Sequence, residues 1–232
     1  MTTTKACADK NQTLELFTII LNNLNSPFQI WQGFTKLLQA IEQKQHEFGN
    51  VAGEFTIQDD RTPDGYAKWE LSISQYLTNL KSFSEEAYTI PIEGKLTTNP
   101  LVWLPSSTRY LEIENLRDPH ESNSAFVELK PMKTDDDTLS ASPTAYDLNA
   151  YRLPRLPLDA PDNSALSLYI FYDKLTEELS LSAEIWLDLW LPRRFDGSNN
   201  EPWAEVNFDY LKSAFKNISE DLNCEFESFI LD

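Results

Sequence analysis

The chain has few of the residues from which common metal-binding and redox motifs are built. Its 232 residues include 2 cysteines and 2 histidines. Cys7 and Cys224 lie near opposite ends of the chain, a separation that favours neither a disulfide framework nor a zinc motif. Neither His46 nor His120 lies in an HxxxH or HExxH pattern, so no histidine-based zinc site is predicted. We therefore expect no cofactor and no bound metal.

Glycine is also scarce, and its spacing excludes the standard phosphate-binding loops. The 6 glycines form neither GxGxxG nor a P-loop. Both motifs need closely spaced glycines because the backbone has to approach the phosphate closely. The sequence contains no G-x-S-x-G nucleophile elbow either. These absences favour a non-catalytic protein, although a Ser-His-Asp triad is defined by geometry and His120 could join one.

Long apolar runs are absent as well. No uninterrupted apolar stretch approaches the roughly 18 residues that a membrane-spanning helix needs. The first residues, MTTTKACADKNQ, lack the apolar core of a signal peptide. The expectation is a soluble, cytoplasmic protein that does not contact membranes.

Basic residues are outnumbered by acidic ones, 19 to 37, so the formal net charge is −18. A field of this sign repels nucleic acid backbones and anionic membrane surfaces, and it attracts basic partners. We therefore expect a basic protein partner and no direct binding of nucleic acid. Solubility alone, or a surface that mimics nucleic acid, would also account for the charge.

What the sequence does contain is a clear α+β pattern in residues 165–232. Ala165 to Asp173 and Leu179 to Leu191 each alternate between apolar and other residues, which predicts two strands joined by a turn. Apolar positions from Phe208 to Leu222 recur at helical spacing, with Asn207 as a candidate N-cap. Phe226 to Leu231 completes a predicted β-β-α-β unit on an antiparallel sheet.

The N-terminal region, residues 1–130, is predicted to begin with two helices. Leu14 to Leu24 has apolar residues at helical spacing, and a second helix is expected from Pro27 to Phe48 with Ser26 as its cap. Val51 to Ile57 and Ala67 to Ile73 then alternate around a turn-rich loop, which predicts an antiparallel hairpin.

A proline- and acid-rich connecting segment, residues 131–164, separates this region from the C-terminal unit. We expect the two flanking regions to pack together as one compact body. Asp135, Asp136 and Asp137 of the segment lack the spacing and the glycine of a calcium-binding loop, so they are interpreted as a solvated run.

The second face of the predicted strand from Leu179 to Leu191 is the candidate binding site. Two tryptophans alternate there with two carboxylates, and two arginines follow the strand. The six predicted site residues are Glu184, Trp186, Asp188, Trp190, Arg193 and Arg194. A helix that covers the indoles would make this face part of the core. Exposed, it would suit a protein interface selective for a basic partner, or a platform that stacks a sugar or another flat ligand.

Spacing argues against catalysis by Glu184 and Asp188 alone. Four residues along a strand span about 13 Å, whereas paired glycosidase carboxylates lie roughly 5–9.5 Å apart. Either acid could still pair with one from a neighbouring strand. The resulting hypothesis is a non-catalytic acidic interaction protein, such as an inhibitor, an immunity-type neutraliser or an assembly factor. The alternative is a small-ligand or carbohydrate-binding module, or an unrecognised carboxylate-based hydrolase.

Overall fold

The structure is a computed structural model. It describes residues 14–44, 48, 51–59, 61–83, 89–98, 100, 102–103, 110–116, 126–131, 152–154, 166–185, 188–193 and 197–228. The predicted α+β class is confirmed, since helices pack on an antiparallel sheet. Cys7, both histidines and the run Asp135 to Asp137 lie outside the described residues.

The centre of the fold is a seven-stranded sheet in which every neighbouring pair is antiparallel. Its strands are β1 (Leu14–Leu21), β2 (Val51–Asp59), β3 (Tyr66–Ser72), β4 (Thr89–Thr98), β9 (Leu166–Asp173), β10 (Glu178–Ile185) and β11 (Glu225–Ser228). Their order is β11-β1-β10-β9-β4-β2-β3. Strands from the two ends of the chain are therefore interleaved in one sheet.

A smaller four-stranded sheet is formed by the middle of the chain. Its strands, in the order β5-β6-β7-β8, are Val102–Trp103, Tyr110–Leu116, Phe126–Pro131 and Arg152–Pro154. Within this sheet β6 and β7 pair with each other in antiparallel orientation. Of the predicted connecting segment, the described residues are Pro131 and the three residues of β8.

Three helices lie on one face of the large sheet: α1 (Pro27–Gln43), α2 (Ile73–Phe83) and α3 (Glu201–Leu222). Each contacts a different part of that face. Gly33 of α1 lies against Leu179, the Tyr76 ring of α2 stacks on Phe55 at 3.9 Å between centroids, and Phe215 of α3 contacts Phe17. We call this the covered face, and it holds most of the hydrophobic core.

The helix predicted from Leu14 to Leu24 is wrong, because residues 14–21 form β1 and residues 22–24 are irregular. A register shift between Glu15 and Phe17 interrupts the regular pairing with β10. As a result the adjacent residues Leu16 and Phe17 are both buried, and the period-two pattern of an ordinary strand is lost. The remaining apolar spacing resembles that of a helix, whereas pairing with β10 and β11 gives a strand.

The strand predicted from Leu179 to Leu191 is correct only as far as Ile185. Residues 188–190 form a 3-10 helix, with the Leu191 amide donating to the Asp188 carbonyl at 3.0 Å. Alternation breaks down here, since Asp188 through Leu191 are all buried. The apparent period of two therefore continued past the end of the strand by coincidence.

The C-terminal helix begins earlier than predicted. Asn200, not Asn207, is its N-cap residue, Pro202 lies in its first turn, and Asn207 is buried inside it. Its far end is capped by Asn223 in the left-handed conformation, a position that suits asparagine. The last described strand ends at Ser228, three residues before the predicted end. Among the helices that the structure describes, none is long and apolar enough to cross a membrane.

Candidate functional site

The opposite side of the large sheet, which we call the open face, carries polar, acidic and aromatic side chains. Strand register assigns them, because directly opposite residues point to the same face. The open face includes Thr18, Ile20, Glu54, Thr56, Gln58, Tyr66, Lys68, Glu70, Ser72, Glu93, Lys95, Thr97, Ser167, Tyr169, Phe171, Asp173, Glu178, Ser180, Ser182, Glu184, Glu225 and Glu227. Acids outnumber lysines by eight to two in this set.

Two aromatic rings stand at the centre of the open face. Tyr169 and Phe171 lie two residues apart on β9, so both point the same way. Their ring centroids are 6.2 Å apart and the rings are nearly parallel, at 8°. Tyr169 is partly exposed, and Phe171 retains 38% of its accessible surface. Phe171 is one of the large hydrophobic side chains exposed among the described residues, which also include Phe28, Tyr66 and Leu175.

A lysine and a glutamate from β4 bracket the Tyr169 ring. Lys95 is directly opposite Tyr169, and its Nζ lies 5.9 Å from the ring centroid, within the range of a cation–π contact. The same Nζ is 3.3 Å from Oε1 of Glu93. The open face thus holds one cation of its own between an aromatic ring and a carboxylate.

The electrostatic environment of Tyr169 reflects these neighbours. Partial burial, followed by the charge and hydrogen bond of Glu93 and the charge of Glu184, raises the pKa of Tyr169 to about 12. The hydroxyl is therefore protonated at neutral pH and donates to Glu93. The two carboxylates act on this phenol from different strands, Glu93 from β4 and Glu184 from β10, and add to the effect of burial.

Carboxylates also stand directly opposite carboxylates on this face. Asp173 is paired in register with Glu178, and Glu54 with Glu70. Opposite residues have Cβ atoms about 4.5–5.5 Å apart, and like charges at that separation destabilise a sheet. Lys68 offsets the second pair, since its Nζ lies 2.8 Å from Oε1 of Glu54. In the first pair, Oδ1 of Asp173 accepts from the backbone amide of Leu175 at 2.7 Å. The open face accordingly concentrates negative charge.

The structure separates the residues predicted as a binding site. Glu184 lies on the open face and is partly exposed, whereas Asp188 and Trp190 lie in the 3-10 helix with 0% and 2% of their surface exposed. Arg193 is exposed, and its backbone forms an isolated antiparallel β-bridge with Asn199. Trp186 and Arg194 lie outside the described residues. Glu184 and Asp188 therefore do not form one carboxylate surface, and a shared binding role for the six residues stays a prediction.

The buried 3-10 helix is held in place by one asparagine. Nδ2 of Asn200, itself 1% exposed, donates to the carbonyl oxygens of Asp188 at 2.9 Å and Leu191 at 3.0 Å. This amide satisfies carbonyls that a strand would have paired with a neighbour. Trp190 is consequently part of the core, and its indole is a structural element of the covered side.

Cys224 is the cysteine that the structure describes, and it is partly buried. Burial, with a smaller contribution from Glu225, raises the pKa of the Cys224 thiol to about 11, so the thiol is protonated at neutral pH. Its Sγ lies 3.7 Å from the Ser219 carbonyl oxygen, to which it donates. In the part of the chain that the structure describes, no group of three or more histidine, cysteine or acidic residues is arranged to hold a metal ion.

Sequence reasoning missed the centre of the open face. One signal in the sequence could have placed Tyr169 and Phe171 on the open face. In the predicted strand Ala165 to Asp173, both lie at the positions that alternate with Leu166, Leu168 and Ile170. No comparable signal exists for Glu93 and Lys95, because only strand pairing brings β4 beside β9.

Comparison with known proteins finds no matching family model, no matching curated protein and no matching solved structure. Function therefore has to be inferred from the chemistry of the open face itself.

Proposed function

We propose that this chain is a non-catalytic acidic interaction protein that engages a basic protein partner through the open face. An inhibitor, an immunity-type neutraliser and an assembly factor all belong to this class. The observation that carries the proposal is a sheet face on which carboxylates oppose carboxylates around an exposed ring, with Phe171 at 38% exposure.

Two physical arguments support this proposal. A basic surface placed on the open face would relieve the repulsion between Asp173 and Glu178, a gain that no neutral ligand provides. The exposed Phe171 ring would then be desolvated at the centre of the contact, where aromatic residues contribute most to binding. The charged positions around the ring would select the partner and accelerate association.

Capture of the partner from a lysate of the native host, with matched charge variants, tests the proposal. The face variant D173N/E178Q/E184Q/E227Q removes four open-face carboxylates. The control variant E201Q/E205Q/D209N/D221N removes four exposed carboxylates from α3, so both variants have the same net charge.

A basic protein should be retained by the wild type and by the control variant, lost from the face variant, and released at high salt because screening weakens exposed charge pairs. Equal retention by both variants would locate binding elsewhere on the surface. Retention of no basic protein by the wild type would contradict the proposed class.

A carbohydrate-binding module is the second candidate, favoured by the nearly parallel Tyr169 and Phe171 rings, which could stack sugar rings. The two candidates differ in their response to salt. Binding of a neutral oligosaccharide should change little between low and high salt, whereas binding of a basic protein should fall steeply. A glycan array probed at both salt concentrations therefore discriminates them.

A further inference from the structure

The two central rings of the open face both lie beside carboxylates, but they differ in whether a cation lies over the ring. Tyr169 has Lys95 over its ring and a hydrogen bond to Glu93. Phe171 is directly opposite Glu93, but among the described residues no lysine or arginine is placed over its ring. The more exposed ring of the pair is thus the one over which the described residues place no cation.

Carboxylates surround Phe171 on three sides. Glu93 is directly opposite on β4, and Asp173 lies two residues along β9 on the same face. Glu178 occupies the diagonal position on β10, next to Ser180, which is directly opposite Phe171. Diagonal neighbours in a sheet lie about 7–8 Å apart, within reach of long side chains. A cation over the Phe171 ring would meet acceptors in each direction.

The arrangement at Tyr169 shows what such a cation does on this face. Lys95 places its ammonium 5.9 Å from the ring centroid and 3.3 Å from a Glu93 oxygen, so one cation is bound by a ring and a carboxylate together. A guanidinium suits the neighbouring ring better than an ammonium does, since its planar group stacks on aromatic faces and donates to two carboxylates at once.

We propose that an arginine side chain of the basic partner stacks on Phe171, with its guanidinium donating to two of the three surrounding carboxylates, those of Glu93, Asp173 and Glu178. This inference rests on the proposed function and identifies the chemistry by which the open face recognises its partner. Charge complementarity and the intramolecular example of Lys95 on Tyr169 both point to this occupant. Phe171 is then the specificity-determining residue of the surface.

Fluorescence anisotropy with labelled octaarginine as the probe tests the inference. The decisive variant is Phe171→Leu, which keeps an apolar side chain but removes the aromatic ring. Its matched control is Phe28→Leu on α1, because Phe28 is also exposed, at 62%, and lies on a helix of the covered side. Phe171→Leu should raise the Kd about fivefold, whereas Phe28→Leu and Phe171→Tyr should leave it unchanged. Octalysine should bind the wild type more weakly than octaarginine does.

The outcomes separate this inference from the function on which it rests. One outcome is that Phe171→Leu binds octaarginine as the wild type does, whereas the face variant D173N/E178Q/E184Q/E227Q does not. Arginine stacking on Phe171 would then be wrong, but the proposed function of the open face would be supported. Retention of octaarginine by the face variant would overturn both. Equal affinity for octalysine and octaarginine, or equal weakening by Phe28→Leu, would also refute stacking at Phe171.

Discussion

Two neighbouring rows of residues cross the same six strands, but one row is mostly apolar and buried and the other is mostly polar and partly exposed. The row on the covered face runs through Phe55, Gly94, Ile170, Leu181, Ile19 and Phe226. The adjacent row on the open face runs through Glu54, Lys95, Tyr169, Ser182, Thr18 and Glu227. In the first row four side chains, Phe55, Ile170, Leu181 and Ile19, have 0% exposure. In the second, charges and a phenol remain partly exposed.

The contrast between the rows separates the side chains that stabilise the sheet from those that the sheet exposes to solvent. Burial of apolar side chains under three helices supplies the stability of the covered face. On the open face, we expect opposed acids such as Asp173 and Glu178 to repel each other and so to lower stability. Surfaces that a fold does not need for its own stability are the natural place for recognition, and the following substitutions test whether the two faces divide in this way.

The largest effect should come from the covered face. Phe17 has no exposed surface and its ring contacts those of Phe208, Phe215 and Phe226 at 5.0–6.1 Å. Phe17→Ala should lower the free energy of unfolding by about 3–5 kcal/mol, because a buried aromatic leaves a cavity. Urea unfolding measures this change. A comparable decrease in the free energy of unfolding from Phe171→Ala would show that the open face is also part of the core, and the two faces would then not differ.

A buried polar residue should cost less to remove, but more than a polar residue on the open face. Asn200→Ala removes the amide that donates to the Asp188 and Leu191 carbonyls, and should cost about 1–3 kcal/mol. Ser182→Ala, on the open face, should stay within about 0.5 kcal/mol of the wild type. Thermal or urea unfolding of both variants provides the measurement. Equal effects would contradict the structural role of Asn200 in holding the 3-10 helix.

Removal of a charge from the open face should stabilise the protein. Glu178→Gln relieves repulsion from Asp173 and should raise the free energy of unfolding by about 0.2–1 kcal/mol at low salt. The gain should shrink at 0.5 M salt because the repulsion is screened. Glu205→Gln on α3, an exposed acid away from the face, is the matched control. Destabilisation by Glu178→Gln would show that the pair is not repulsive.

The smallest effect at neutral pH should come from Tyr169. Its pKa is raised to about 12, so folding favours the protonated phenol. That contribution is fully present below the unfolded pKa near 10 and is lost as the pH rises from there toward 12. Tyr169→Phe should change stability little at pH 7 and should reduce the loss of stability between pH 10 and 12. Absorbance at 295 nm should lose one late tyrosine titration, and an unchanged titration curve would refute the raised pKa.

Elements with uninterrupted local patterns could be predicted from the sequence. The strands that became β9 and β10, the hairpin of β2 and β3, and the helix that begins at Pro27 all follow their apolar periodicity and caps. Prediction failed where a local irregularity imitated another pattern. The bulge in β1 placed Leu16 and Phe17 side by side in the core, and the buried run from Asp188 to Leu191 continued an alternation that no longer described a strand.

The candidate site was predicted only in part, for a related reason. Glu184 was expected on the second face of its strand and lies on the open face, whereas Trp190 is buried in the 3-10 helix. Phe171 lies in a correctly predicted strand, but the role proposed for it depends on Glu93 from β4 and Glu178 from β10. Those neighbours come from positions distant in the chain.

The sequence alone determined the two-sided character of the central strands, because side chains alternate between the faces of a strand whatever its neighbours are. It also determined the acidic charge, which composition sets. Only the tertiary structure decided which face the helices cover, which acids stand opposite one another, and that Leu14 to Leu21 form a strand. The physical reason is that strand order and register are set by pairing between distant segments. A one-residue change in that register would move every side chain of a strand to the other face.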